Sequence, residues 1–186
     1  MANSKHETAA AILEAALFAA EKHRKCRRKD ADATPYINHP ITVANLLASV
    51  GEVDDIEALQ AALLHDTVED TNTSPEELEE KFGRGVRDLV MEISDDKSLE
   101  KQERKRRQIE KAPRLSPRAK MIKIADKIAN LADITNSPPA DWSRERRAQY
   151  VEWSGKVVDG CRGHNPALES LYDETVAKTI ATTALP

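Results

Sequence analysis

The sequence contains little of what extensive disulfide bonding or membrane insertion would require. Its 186 residues include only two cysteines, and aromatic residues make up 4% of the chain. No apolar run reaches the length of about 20 residues that a membrane-spanning helix needs, and the alanine-rich stretch from Ala9 to Ala20 is interrupted by Glu14. We therefore expect a cytoplasmic protein with no membrane partner, in which Cys26 and Cys161 are free thiols.

An excess of charge of one sign is also missing. The chain has 28 Lys and Arg against 32 Asp and Glu, for a formal net charge of −4. This balance differs from the strongly basic composition of many nucleic-acid-binding proteins, so we predict no nucleic-acid partner, although local basic clusters leave anion binding open. The length allows one substantial core, and residues 1–186 are expected to form a single domain.

Strand-like alternation is absent, whereas apolar residues recur at helical spacing in nearly every segment. The expected fold is all-α, a compact multi-helix bundle. We predict helices over 7–27, from 40 onward, 54–64, 74–83, 85–94, 99–112, 117–134, 142–159 and 166–179. Pro40 is expected at the first helical position, which would leave His39 exposed at the junction between a loop and a helix.

Three short patterns predict where helices begin and end. Asp54 or Asp55 can cap the helix that runs to residue 64. Ser74 is followed by Pro-Glu-Glu, which is typical of a capping box with proline at the first helical position. Gly83 can end the helix that Ser74 begins.

Two histidines and two aspartates from three separate segments form a candidate metal site. His39 precedes a proline, His65 and Asp66 are adjacent, and Asp126 lies beside the apolar stripe of the predicted 117–134 helix. The His-Asp pair alone is weak evidence, but the three segments together predict a site with two nitrogen and two oxygen ligands. Such a set suits Mn²⁺, Fe²⁺, Co²⁺ or Zn²⁺ better than Ca²⁺ or Mg²⁺. His23 is interpreted as a buried structural residue, with a position near the site as the alternative.

Two further carboxylates follow the His-Asp pair. Glu69 lies four residues after His65 and Asp70 four after Asp66, which is about one helical turn. Both carboxylates are therefore expected beside the ligands, where one can accept the proton of an attacking water. Asn130 follows the last ligand by one turn and is expected to share its direction.

Cationic and aromatic residues provide candidates for a nucleotide site. Arg28 and Lys29 lead into the segment that carries the first ligand, and both can bind phosphate. Arg146 and Tyr150 lie one turn apart on a predicted helix. Tyr150 is either a packing residue or, with Arg146, part of a pocket that binds a base and a phosphate. The basic run of residues 104–107 is flanked by Glu100, Glu103 and Glu110, which indicates an exposed, salt-bridged helix.

Four longer runs extend these motifs: Arg28-Lys29, Thr34-Pro35-Tyr36-Ile37-Asn38-His39-Pro40, Ala61-Ala62-Leu63-Leu64-His65-Asp66-Thr67-Val68-Glu69-Asp70, and Ala125-Asp126-Lys127 with Asn130. Together they resemble the HD superfamily of metal-dependent phosphohydrolases, in which separated His, His-Asp and Asp residues bind one metal. Within it, the chain is similar to the hydrolase domain of RelA/SpoT proteins, and most of all to their small stand-alone forms. The likeness runs through nearly the whole chain, as far as Tyr150.

The resemblance implies hydrolysis of the 3′-pyrophosphate of guanosine tetra- or pentaphosphate, (p)ppGpp, with one Mn²⁺ as cofactor. It implies that the metal ligands are His39, His65, Asp66 and Asp126. It implies that Glu69 and Asp70 are catalytic and orient or deprotonate the attacking water. The nucleotide contacts that it implies are Arg28, Lys29, Asn130, Arg146 and Tyr150. Because the chain has no room for a synthetase or regulatory domain, we expect it to degrade the alarmone without making it.

Three other functions are alternatives. They are removal of the 2′-phosphate of NADPH at the same site, hydrolysis of deoxynucleotides or cyclic nucleotides, and a non-catalytic nucleotide sensor. The Arg28-Lys29 and Glu69-Asp70 pairs argue against the second of these. A sensor would be expected to lack a ligand or a catalytic carboxylate, and all six are present. Ala129 and Ala132 stand where many relatives carry a bulky residue and an arginine, so we expect a substrate contact or a supporting salt bridge to be lost there. The sequence predicts no oligomeric state.

Overall fold

The computed structural model describes the backbone of residues 2–184 and the side chains of residues 6–182. Over that range the chain forms nine α-helices, a 3₁₀ turn (Ala112–Arg114) and no β-strand, which confirms the all-α prediction. The α-helices are α1 (Ala2–Lys22), α2 (Asn38–Ser49), α3 (Ile56–Leu64), α4 (Thr67–Asp70), α5 (Pro75–Ile93), α6 (Lys101–Lys111), α7 (Pro117–Asn136), α8 (Arg144–Asp159) and α9 (Pro166–Ala184). None of the helices described is long and apolar enough to cross a membrane. Cys26 and Cys161 are free thiols, as predicted.

Side-chain caps determine where four of the helices begin. Asp55, Ser74, Ser116 and Ser143 each accept a hydrogen bond from a backbone N–H three residues further on. A cap of this kind satisfies one of the first-turn N–H groups that have no partner inside the helix. The predicted caps at Asp55 and Ser74 are confirmed. The predicted break at Gly83 is also observed, because this residue interrupts α5 with φ at 84°, where a side chain would be strained.

The first helix has the predicted length of 21 residues but starts at Ala2 rather than at residue 7. It ends at Lys22 rather than at residue 27, because the chain that follows folds back on itself. Arg27 forms an isolated antiparallel bridge with Pro35, and the backbone N–H of Arg28 donates to the Thr34 carbonyl oxygen at 2.9 Å. These backbone bonds replace the helical ones and hold Arg28 at the base of a closed loop.

The second helix begins two residues before Pro40, so the prediction that Pro40 takes the first helical position is wrong. Pro40 is the third residue of α2. The first-turn N–H groups have no partner within a helix, so the missing N–H of proline costs nothing there. His39 therefore lies inside the first turn of α2. The predicted exposure of this side chain is also wrong, because α2 packs against α3 and α7 and leaves His39 4% exposed.

Helix α7 lies at the centre of the bundle, in contact with α2, α3, α5, α8 and α9. Every residue of 124–129 is buried, including Asp126 and Lys127. Helix α3 is buried from Ala58 to Leu64 and packs against α1, α2, α5 and α7. Helices buried on all sides are typical of a core. Because α3 ends at the His-Asp pair and α7 carries Asp126, packing on several neighbours sets the positions of the candidate ligands.

Candidate metal and active site

The four predicted metal ligands converge where α2, the end of α3 and the middle of α7 meet. His39 Nε2 lies 3.2 Å from Asp126 Oδ1, and His65 Nε2 lies 3.0 Å from Asp66 Oδ2. The crossed pairs are also close, at 3.8 Å from His39 Nε2 to Asp66 Oδ2 and 3.9 Å from His65 Nε2 to Asp126 Oδ1. Two imidazole nitrogens and two carboxylate oxygens are thus grouped around one small volume.

Local hydrogen bonds orient the His-Asp pair. His65 Nδ1 lies 2.8 Å from the Ala62 carbonyl oxygen, so in the neutral ring Nδ1–H donates to it and the lone pair on Nε2 is left for a ligand. His65 Nε2 is buried and, despite its distance of 3.0 Å from Asp66 Oδ2, is not aligned for a hydrogen bond with that atom. The Tyr36 hydroxyl donates to Asp66 Oδ2 at 2.6 Å. His65 Nε2 and Asp66 Oδ2 are therefore placed as two atoms that bind the same metal ion would be.

Asp126 links the ligand cluster to two of the predicted nucleotide contacts. Its Oδ1 accepts a hydrogen bond from Asn130 Nδ2 at 2.6 Å, and its Oδ2 accepts one from Lys127 Nζ at 2.9 Å. Asn130 Oδ1 in turn accepts from Arg28 Nη2 at 3.0 Å. A change in the hydrogen bonds of Arg28 or Asn130 can therefore reach Asp126, the candidate metal ligand.

In the metal-free cluster, His65 and the two aspartates stabilise each other's charged forms, so a metal ion that binds His65 would take the place of its proton. Burial opposes the charged imidazole, but the Asp66 and Asp126 carboxylates raise the pKa of His65 to about 9. Burial also opposes both carboxylates, yet His65 and His39 hold the pKa of Asp66 below its usual value, and Lys127 with the two histidines does the same for Asp126. His39, His65 and Asp126 offer ligand atoms that all lie within 4.8 Å of one another. The site can hold a divalent metal ion.

Glu69 and Asp70 lie next to the cluster, in the short helix α4. The Asp70 N–H donates to the Asp66 carbonyl oxygen at 2.9 Å, which keeps the two residues one turn apart. Lys97 Nζ lies 2.8 Å from Asp70 Oδ1 and 3.5 Å from Glu69 Oε2, and the Asp95 N–H donates to Glu69 Oε1 at 2.9 Å. Burial and the Asp66 charge raise the pKa of Glu69 to about 7. A carboxylate that titrates near neutral pH is suited to proton transfer.

The raised pKa of Glu69 makes the stability of the metal-free protein depend on pH. Its folded-state pKa of about 7 exceeds the ordinary 4.5, so between these values the folded protein binds more protons than the unfolded chain. The free energy of unfolding therefore falls as the pH rises through this window. We expect Glu69→Gln, which has no charge to bury, to be more stable than the wild type at pH 8 and to lose this advantage toward pH 5. Urea denaturation of both metal-free proteins measures the difference, and a difference that does not change with pH would contradict the assignment.

A cavity of about 680 Å³ opens beside the ligand cluster. This volume lies in the range of about 300–1,000 Å³ that is typical of small-molecule sites. His39 and Asp70 form part of its wall. Four of the five predicted nucleotide contacts line it as well, namely Arg28, Lys29, Asn130 and Tyr150. These four residues thus share one cavity with Asp70 and His39, whereas Glu69, His65, Asp66 and Asp126 do not line it.

The fifth predicted contact, Arg146, lies next to the lining. Its guanidinium carbon is 4.5 Å from the ring centroid of Trp142, which lines the cavity, and its Nη1 is 3.6 Å from Asp141 Oδ2. The Tyr150 ring centroid lies 5.7 Å from that of Trp142 and 5.3 Å from that of Trp153. Tyr150 therefore packs among aromatic rings and also lines the cavity, and its binding of a base stays a prediction.

Arg28 is held by protein groups rather than pointing freely into the cavity. Its guanidinium forms an ion pair with Asp133 and lies 5.6 Å from the ring centroid of Tyr36. Although a supporting salt bridge was expected to be lost at Ala132, the next residue, Asp133, supplies one to Arg28. The Lys29 side chain, in contrast, is exposed at the edge of the cavity.

Comparison with known proteins identifies the class to which this fold and site belong. A family model described as HD domain matches residues 15–152, and the chain belongs to the HD domain family, which confirms the resemblance. The chain is 55% identical over 165 residues to the guanosine-3′,5′-bis(diphosphate) 3′-pyrophosphohydrolase MESH1 of Xenopus tropicalis, covering 89% of this chain and 92% of the relative. The human protein of the same name is 56% identical over 161 residues, covering 87% and 90%. A solved structure described as a metazoan ortholog of SpoT that hydrolyses ppGpp superposes with a TM-score of 0.88 at 51% identity, covering 91% of this chain and 95% of that one.

Four residues around the site were assigned no role from the sequence: Tyr36, Lys97, Lys127 and Asp133. Tyr36 and Lys127 lie within the motif runs, so their closeness to predicted ligands was a signal. Lys97 belongs to a polar loop between α5 and α6, and its pairing with Asp70 spans a long stretch of chain. Only the packing of α4 against α5 brings that loop near the cluster.

Proposed function

We propose that this protein hydrolyses the 3′-pyrophosphate of guanosine tetra- and pentaphosphate to release pyrophosphate and GDP or GTP. The observation that carries the proposal is a single cavity of nucleotide size whose wall includes His39 and Asp70 together with Arg28 and Lys29. The Xenopus and human relatives are named for this activity, and the solved neighbour is described as hydrolysing ppGpp. Nearly all the buried apolar residues of the described range belong to one cluster, which supports residues 1–186 acting as a single catalytic domain.

The proposed ligands of the metal are His39, His65, Asp66 and Asp126, and the proposed ion is one Mn²⁺ per chain. Fe²⁺, Co²⁺ and Zn²⁺ suit the same two nitrogen and two oxygen donors. His65 Nε2 supports this assignment, because it is buried without a hydrogen-bond partner and a metal ion would give it one. When bound, the ion supplies Lewis-acid activation of water and stabilises negative charge that develops on the phosphate.

Glu69 and Asp70 are proposed to orient and deprotonate the attacking water. Glu69, with a pKa near 7, can accept a proton at neutral pH. Lys97 holds Asp70 in place through its 2.8 Å contact. The water oxygen forms a bond to phosphorus, and the bond between that phosphorus and the ribose 3′ oxygen breaks. The ribose oxygen leaves as a hydroxyl after taking up a proton.

The remaining proposed contacts divide by chemistry. Lys29 is exposed to the cavity and offers a point charge to phosphate. Arg28 has five N–H donors, so it can bind phosphate while keeping part of its present bonding to Asn130. Tyr150 offers an aromatic face to the base, and Arg146, which lies against Trp142, offers a guanidinium at the edge of the same aromatic group.

The proposal is tested with metal-stripped protein supplied with ppGpp or pppGpp, with and without Mn²⁺, and with NADPH in parallel. GDP or GTP and pyrophosphate that form only in the presence of metal are the expected products. Faster release of orthophosphate from NADPH would favour the 2′-phosphatase alternative. Tight binding of ppGpp without any turnover would favour the nucleotide sensor.

A further inference from the structure

The two carboxylate oxygens of Asp126 have different surroundings. Oδ1 faces the histidines, at 3.2 Å from His39 Nε2 and 3.9 Å from His65 Nε2, and also accepts from Asn130. Oδ2 accepts the 2.9 Å hydrogen bond from Lys127 Nζ. Only one oxygen is therefore presented to the other ligands, and the second is occupied by an ammonium.

Lys127 is an unusual residue to find at this position. It is 4% exposed in the middle of the central helix, and a buried ammonium is costly unless it is paired. Its Nζ lies 4.5 Å from the ring centroid of Trp153 on α8, a distance at which the π system attracts a cation. Trp153 is itself held, because its Nε1–H donates to the Lys105 carbonyl oxygen on α6 at 3.1 Å.

We propose that Lys127 is a positioning residue that restricts Asp126 to ligation through Oδ1, and that Trp153 holds the ammonium in the place where it does so. This inference rests on the proposed role of Asp126 as a metal ligand. Partners of metal ligands commonly set ligand orientation in this way.

The direction in which metal affinity changes when Lys127 is removed distinguishes a positioning role from a purely electrostatic one. If Lys127 acted only as a nearby positive charge, its removal would relieve repulsion of a bound cation and tighten metal binding. If it positions Asp126, its removal leaves a buried carboxylate oxygen without a donor. The carboxylate is then free to turn, and metal binding weakens.

The experiment titrates metal-stripped protein with Co²⁺, whose visible absorption reports both binding and ligand geometry. For Lys127→Met we expect binding about 10- to 100-fold weaker than in the wild type, with an altered spectrum. The matched control is Lys105→Met, which removes another ammonium near the same ring, 4.7 Å from its centroid, and is expected to bind Co²⁺ as the wild type does. Unchanged or tighter binding by Lys127→Met overturns the proposal, as does weaker binding with an unchanged spectrum.

Two tryptophan variants keep the proposal testable if Lys127→Met does not fold. Trp153→Leu removes the aromatic face but leaves Lys127 and Asp126 intact, and its Co²⁺ binding is expected to weaken. Trp153→Phe keeps an aromatic face and is expected to bind Co²⁺ about as tightly as the wild type. Equal Co²⁺ binding by the two variants would contradict the proposal that the ring holds the Lys127 ammonium in place. Metal binding is measured without substrate. A wild-type protein that binds metal but does not hydrolyse ppGpp would therefore contradict the proposed function and leave this inference standing.

Discussion

Replacing Glu69 with glutamine and Asp70 with asparagine in one protein is expected to lower turnover of ppGpp by about 10²- to 10⁴-fold, the usual contribution of a positioned acid or base. Both amides keep the shape of the carboxylates but cannot accept the proton of the attacking water. Glutamine still has a carbonyl oxygen for the Asp95 N–H. Neither position belongs to the proposed ligand set, so the metal content is expected to stay at the wild-type level.

A control for this double variant must remove the same charge elsewhere. Glu79 and Glu80 are adjacent, exposed acidic residues on α5 that do not line the cavity. Changing both to glutamine is expected to leave turnover close to wild type. Steady-state turnover and metal analysis of the two double variants give the comparison. Near-normal activity of the Glu69 and Asp70 variant would show that the proton is handled by another group.

Replacing His65 with alanine is expected to weaken metal binding by more than about 100-fold, since even partners that only support a ligand commonly contribute 10- to 100-fold. The side chain lies at the end of α3 with its Nε2 among the carboxylate oxygens. Its removal takes away one of two nitrogen donors, and turnover at a fixed low metal concentration is expected to fall with metal occupancy. Metal content after dialysis and a Mn²⁺ titration of the activity measure both effects.

A high metal concentration distinguishes the loss of turnover in His65→Ala from the loss in the Glu69 and Asp70 double variant. Excess Mn²⁺ should restore part of the turnover of His65→Ala, because the carboxylates Asp66 and Asp126 remain. It should not restore the Glu69 and Asp70 double variant, whose site is already filled. His164→Ala is the matched control, since His164 is an exposed histidine in the loop before α9. If His65→Ala retained its metal through dialysis, His65 would not be a ligand.

Shared hydrogen bonds connect the proposed metal ligands to the proposed nucleotide contacts. Asn130 is bonded both to Asp126, a proposed ligand, and to Arg28, and Arg28 is paired with Asp133 on the cavity wall. A phosphate that binds Arg28 must therefore compete with, or join, an existing carboxylate. Substitutions at Arg28 or Asn130 are consequently expected to affect metal binding as well as substrate binding, whereas substitution of the exposed Lys29 is expected to affect substrate binding alone.

Most of the helical architecture could be predicted from local patterns. The helix of residues 117–134 follows from its apolar spacing, and the caps at Asp55 and Ser74 follow from single polar residues before such a run. The errors occur where a contact distant in sequence overrides the local preference. The helix predicted to residue 27 ends at Lys22 because Arg27 pairs with Pro35, and His39 is buried because α2 packs against two other helices.

Residue type and spacing alone were enough to indicate an all-α chain and to select a small set of candidate ligands and carboxylates, and the longer motif runs resemble the HD family. Helical periodicity and capping depend on neighbours within about four residues, and motif residues are recognised by their order along the chain. Tertiary structure alone decided which side chains share one cavity, that Lys97 pairs with Asp70, that Asp133 pairs with Arg28, and that each oxygen of Asp126 has a different partner. These contacts depend on distances of a few ångströms between separate elements, and the packing of α7 against its neighbours sets those distances.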